Sequence, residues 1–256
     1  MKTNEQYQSN QSFGLLLLGP PKSGKTNAAM IFPNPYFADC DNNLSSAVNR
    51  CGDKTFYYDT INIDDEGKEV PEGFRYERLL QCCKAAANNP DVQTIVVDSL
   101  TMVGDYIIAH ILRKQNIPQM RIQDYGTLKD LASKFIVWLR SSGKLIIFTG
   151  HEKYDKDEIS GVLLYRVNFP GQLADTIGAY FSDVWRCECE QSGGDKYKYI
   201  VRTMPTPRMA LGNSLGLPTT FELSWDRLKT KLQPTKLQST KLTDKSCILL
   251  KSSSKV

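Results

Sequence analysis

No apolar stretch in this 256-residue chain approaches the roughly 18 residues needed to cross a bilayer. The longest near its start, Phe13 to Leu18, is too short for a secretory core and follows no basic leader. No membrane association and no export are therefore expected. Disulfides are not expected either. Seven cysteines is an odd number in a long chain of this kind, which favours reduced thiols in a cytoplasmic setting. Cys187 and Cys189 form a C-x-C pair with no second Cys/His pair nearby, so two small hydrophobes on one strand face are preferred to a metal site. No segment is arginine-rich in the manner of a kinase lid, which disfavours a small-molecule kinase.

Nor is there a strong excess of charge, since 32 basic against 28 acidic residues leave +4. The position of that excess matters more than its size. Residues 229–256 hold seven lysines and one acid, Asp244, for +6, so the first 228 residues sum to −2. The body is slightly acidic and the tail basic. The tail repeats Thr-Lys-Leu at 230, 235 and 240, a period that matches no solenoid unit, and it reads as low-complexity and disordered. Residues 1–12 are polar and rich in Asn and Gln and read as a disordered leader. The domain is thus expected over 13–228.

Within it, continuous apolar runs alternate with helical patterns up to about residue 150, which predicts an α/β fold with a mostly parallel central sheet flanked by helices. Strands are predicted at Phe13–Leu18, Tyr36–Ala38, Thr55–Tyr58, Thr94–Asp98 and Lys144–Thr149, with helices at about Ser99–Lys114, Tyr76–Ala87 and around Leu128–Leu139. Residues 153–176 carry few regular signals, and Asp183–Glu190 with Tyr197–Thr203 predict a C-terminal β-hairpin turning at Gly193-Gly-Asp195.

The strongest motif is Gly19-Pro20-Pro21-Lys22-Ser23-Gly24-Lys25-Thr26, an uninterrupted match to G-x-x-x-x-G-K-[ST] between a strand and a helix that opens at Asn27. The glycines let backbone amides wrap a phosphate. Lys25 would reach the β- and γ-phosphates of ATP, and the Thr26 hydroxyl would hold Mg²⁺. The alternative is a structural glycine turn. Asp98, closing the run Thr94–Val97, has the place of the second Mg²⁺-side carboxylate. Hydrolysis also needs a group that orients water. Asp39, Asp41 and Glu152 are candidates, with Asp41 preferred, while His151 is placed to sense the γ-phosphate. For Asp39 and Asp41 the alternative is capping of the helix that follows.

Four segments together resemble the RecA-type recombination ATPases: the phosphate loop, Phe37–Leu44, Thr94–Ser99 and Phe148–His151. Ile117-Pro118, Asp124–Gly126, Gly143–Glu152, Pro170–Asp175 and Val184–Cys187 look, more narrowly, like the bacteriophage RecA-core-only ATPases of the Sak type, associated with single-strand annealing. The resemblance covers about residues 13–225. It implies a RecA-like P-loop core, ATP held between subunits of a homo-oligomer, single-stranded DNA as partner, and the host cytoplasm as location. It places Asp41 where the family has a water-activating Glu, implying slow turnover, and His151 where it has Gln, implying pH-dependent sensing. A DNA-contacting loop would follow His151, with Lys153, Lys156 and Arg166 as its basic residues. Arg202 or Arg208 would reach a neighbour's phosphates in trans. Tyr197 and Tyr199, alternating with lysines, are candidates for stacking bases or for a strand with one face in and one out. The alternative function is that of an NTP-dependent assembly factor or helicase-loader-like adaptor. It would bind a single-strand-binding or replisome protein through the tail patch Cys247–Leu250.

Overall fold

Four consecutive leucines, Leu15 to Leu18, mark the centre of the sheet. Alternate side chains of a strand point to opposite faces, so a run apolar at every position needs cover on both. Strand β1 (Gly14–Gly19) has it: Leu16 and Leu18 enter one buried cluster, Leu15 and Leu17 another. Complete burial of each leucine contributes about 1.5–3 kcal/mol, so this strand alone anchors both layers. The structure is a computed structural model that describes residues 12–52, 54–156, 161–193 and 197–232, apart from the Arg50 side chain.

The parallel part of the sheet comprises β1, β2 (Pro35–Asp39), β3 (Tyr57–Thr60), β4 (Thr94–Asp98), β5 (Leu145–Lys156) and β7 (Asp183–Gln191). Antiparallel β8 (Tyr197–Arg202) and β9 (Thr220–Phe221) extend it, giving the order β3-β2-β4-β5-β1-β7-β8-β9. Helices α3 (Glu72–Asn88), α4 (Leu100–Gln115) and α5 (Asp124–Arg140) cover the Leu16/Leu18 face. Helices α1 (Lys25–Ala29), α2 (Ser45–Arg50) and α7 (Trp225–Lys229) contribute Ala29, Ala47 and Leu228 to the other. The expected α/β core, mostly parallel and lengthened by a hairpin, is the observed one.

Several boundaries differ. Helix α3 begins at Glu72 rather than Tyr76, because Pro71, with φ −57°, sets its first turn. Strand β3 lies two residues later than expected, on the sheet edge, with Tyr57 and Tyr58 exposed. The larger correction concerns residues 153–176. Strand β5 does not stop at Thr149; it continues to Lys156 and pairs antiparallel with β6 (Leu163–Val167), and a short α6 (Leu173–Thr176) follows. Beyond the parallel core its neighbours change, so its apolar pattern ends while its hydrogen bonding does not.

The limits of the domain shift as well. Ser12, assigned above to the leader, is buried and donates through Oγ to the Arg140 carbonyl at 2.9 Å. Residue 228 falls inside α7, and Leu232 packs against the second cluster, so the body reaches past the expected boundary. The rest of the leader, the rest of the basic tail and the hairpin residues 194–196 lie outside the described residues.

Candidate functional site

The C-terminal ends of β1, β2, β4 and β5 meet where consecutive strands diverge, the general place for ligands in open α/β sheets. From β1 the chain turns through the phosphate-loop sequence into α1. Gly24 has φ +87°, a conformation that costs L side chains energy. A Cβ there would also stand 2.7 Å from the Tyr199 ring. Lys25 is buried and folds back over the loop, its Nζ donating to the carbonyls of Gly19 at 3.0 Å and Pro20 at 2.9 Å. Burial lowers the pKa of its amine, against the opposing pull of the nearby carboxylates.

Thr26 Oγ1 donates to Asp98 Oδ2 at 2.7 Å, and the Thr149 hydroxyl donates to the other carboxylate oxygen. Asp98 is buried, and loss of solvation raises its pKa despite these two donors. Asp41 Oδ1 accepts from Ser99 Oγ at 2.9 Å, while its Oδ2 stands 3.6 Å from His151 Nε2. The His151 amide donates to Thr101 Oγ1 at 3.1 Å, and its Nδ1 is buried without a hydrogen-bond partner. Pro21, Lys22, Gly24, Lys25, Thr26, Asn27, Asp41, Asp98 and His151 thus line one cavity of about 530 Å³, a volume suited to a nucleotide.

The structure sorts the carboxylate candidates. Glu152 is not free to act on water: its side chain is 1% exposed and is gripped by Arg186 through contacts of 2.8 and 2.9 Å. Asp39 accepts from the Asn43 amide at 3.2 Å, ahead of α2, whose N-terminus has no side-chain cap. Neither aspartate caps that helix: Asp39 secures the turn, and Asp41 faces Ser99 and His151. Burial raises the Asp39 pKa to about 6. The folded chain therefore holds this proton more tightly than the unfolded one, and stability falls as pH rises from the unfolded value through about 6. Asp39→Asn keeps the acceptor and removes the charge. It is expected to stabilise the fold at pH 8 by up to roughly 3 kcal/mol, with the gain vanishing below about pH 4; urea unfolding at the two pH values checks this.

The basic candidates do not gather at the cavity. Lys153, Lys156 and Arg166 lie on the β5–β6 hairpin, where Arg166 faces Asp155 at 3.5 Å and Asp175 at 2.8 Å. Arg202 is held at 3.0 Å by Glu188, which Arg186 also contacts at 2.9 Å. Arg208 lines a separate cavity with Arg166, where its carbonyl accepts from the Tyr165 amide at 2.8 Å. Cys187 is buried and Cys189 exposed. Thr149 joins the site without a local motif of its own; the signal for it is a hydroxyl closing the apolar run Leu145–Phe148. Tyr199, a candidate for stacking bases or for one face of a half-exposed strand, stands over the phosphate loop at Gly24.

A family model described as "AAA domain" matches residues 13–214. Among solved structures, a KaiC-like protein from the hyperthermophilic archaeon Pyrococcus horikoshii OT3 is similar, with 13% identity over 75% of this chain and 79% of that one and a TM-score of 0.41. No curated protein matches the chain. No helix among the described residues is long and apolar enough to cross a membrane. With its phosphate loop and parallel sheet, and a family match over most of its length, the chain belongs to the AAA-domain family and carries a P-loop ATPase domain.

Proposed function

We propose that the chain binds ATP with Mg²⁺, hydrolyses it slowly, and acts as a homo-oligomer on single-stranded DNA in annealing or recombination. The observation that carries the ATPase part is the convergence of Lys25, the Thr26–Asp98 pair and the Asp41–His151 pair on one cavity. In this reading the loop amides and Lys25 hold the phosphates, and Asp41 orients water. His151 answers to the terminal phosphate through Nε2. One methylene shorter than glutamate and already engaged by Ser99, Asp41 holds water less closely, which supports slow turnover.

The residues fit Mg²⁺. No cluster of three metal-binding side chains occurs among the described residues, and a magnesium ion that keeps several waters and phosphate oxygens needs few protein groups. The Thr26 hydroxyl would bind it directly and Asp98 through water. When bound, the ion offsets charge on the phosphate oxygens.

The DNA part rests on the resemblance to Sak-type phage proteins and on the hairpin that continues β5 beyond His151. A second reading, an assembly factor acting through a protein partner at the tail, is favoured by the ion pairs that already engage Arg166. ATP turnover with and without single-stranded DNA, at two salt concentrations, separates them. Stimulation by DNA is expected, abolished in Lys25→Ala, with nonspecific affinity reduced by truncation after Leu232. Absence of DNA binding at low salt would sink the recombination reading and leave the adaptor.

A further inference from the structure

Strand β5 changes neighbours at the site. Its pairing with β4 ends at Phe148 and with β1 at His151, and from Glu152 onward its strand partner is β6. His151 is thus the last residue of β5 that the central sheet holds. Its backbone is fixed: the amide donates to Thr101 Oγ1 at 3.1 Å, and the carbonyl accepts from the Asn168 amide at 2.8 Å. Its ring is not, since Nδ1 has no hydrogen-bond partner and Nε2 stands 3.6 Å from Asp41.

The next residue is held by its side chain. Arg186 on β7 donates to both carboxylate oxygens of Glu152, from Nε at 2.9 Å and Nη2 at 2.8 Å, and the Glu152 side chain is 1% exposed. The guanidinium lies over Tyr165 of β6, 4.9 Å from the ring centre, and its Nη1 donates to Glu188 at 2.9 Å. Arg186 is in register with Leu18, one residue before the phosphate loop. The pair therefore joins β5 to β7 where β1, lying between them, comes to its end. A buried ion pair adds little stability over apolar residues of the same volume. What it adds is direction, because a fork that meets both carboxylate oxygens fixes angle as well as distance. Adjacent strand residues point to opposite faces, so the grip on Glu152 sets how His151 meets Asp41. We propose that Arg186 is a positioning residue for His151, acting through Glu152. This role rests on the reading of His151 as the group that answers to the terminal phosphate, and it supplies the aim that the ring's own contacts lack.

Arg186→Met alone would leave a buried carboxylate unpaired and endanger the fold. The paired variant Glu152→Leu/Arg186→Met avoids this: Glu188 keeps Arg202 at 3.0 Å, and methionine packs well on an aromatic ring such as Tyr165. The chain has two histidines, His110 and His151, so its imidazole NMR signals fall into two sets, assigned with His151→Ala. In the paired variant the His151 set is expected to shift or double, while that of His110, which packs on Tyr76, stays in place. ATP affinity should be retained, and kcat should fall by about 10²-fold, the scale of a misplacement of about 1 Å. Unmoved His151 signals would overturn the inference, as would a paired variant with the kcat of wild type. Movement of both histidine sets, or a paired variant that does not fold, would overturn it too, since the pair would then serve the fold at large. Those outcomes leave the reading of His151 standing. His151→Ala turning over like wild type, or a wild type that binds ATP without turnover, would refute that reading and the inference with it.

Discussion

Lys25→Ala is expected to lower ATP turnover by about 10²- to 10⁴-fold. The amine is buried against the loop, donating to the Gly19 and Pro20 carbonyls. On binding, these neutral acceptors give way to phosphate oxygens. Hydrogen bonds to charged groups contribute about 1.5–3 kcal/mol each, so losing two amounts to about 3–6 kcal/mol, or the factor above. Lys25→Arg should not restore activity, because a planar guanidinium cannot replace a compact ammonium in a space shaped by two carbonyls. Titration calorimetry with ATP, alongside the melting temperature, separates phosphate binding from loop support. A large fall in affinity with little change in melting is expected. A collapse of both would make Lys25 a clip for the loop and nothing more.

Asp98→Asn is expected to abolish most turnover, by about 10²-fold or more, and to stabilise the empty protein. The two effects share one cause. Asp98 is an anion in a buried position, supported by two hydroxyls that donate to it. Its pKa is raised by burial. The folded state therefore binds its proton more tightly than the unfolded state, and stability declines as pH rises from the unfolded carboxylate range through the raised value. Above both, the fold carries the full cost of the buried charge. Asparagine removes that cost: one threonine hydroxyl goes on donating to the amide oxygen, and the other rotates to accept from the amide nitrogen. A higher melting temperature at pH 8, with a gain that shrinks on acidification, accompanied by lost turnover, is the expected pattern. A lower melting temperature at every pH would show that the carboxylate holds Thr26 and Thr149 together and is not a stored cost of function.

What the sequence made legible follows distance along the chain. The phosphate loop is eight adjacent residues, and Asp98 ends an apolar run, so local pattern was enough for both. The Asp98–Thr149 contact depends on β4 lying beside β5, which no local pattern states. Arg166 and Arg202 read as available cations because their acidic partners, Asp175 and Glu188, are nine and fourteen positions away. Glu152 read as a candidate for activating water for the same reason, since Arg186 is 34 residues distant. The apolar pattern marks only the inner half of β5 because its outer half is polar: apolar periodicity reports burial, and β5 outruns the core that buries it. Tyr199 was recognised as an aromatic with two possible uses; its position over Gly24 required the hairpin to fold back beside β1 through β7.

Strand β5 presents Thr149 and His151 to the site on one face, while Glu152 on the other meets Arg186. Its His151 is in register with Gly19, the first residue of the phosphate loop, and Glu152 with Val167 of the hairpin. Strand side chains have a period of two, so a register shift of one exchanges the faces. Parity therefore governs length here. Inserting or deleting a residue near 150 would turn the histidine toward the ion pairs and the glutamate toward the site. Substitutions can be sampled along this strand one at a time, but odd changes in its length cannot be, and a lineage carrying it is bound to keep its count.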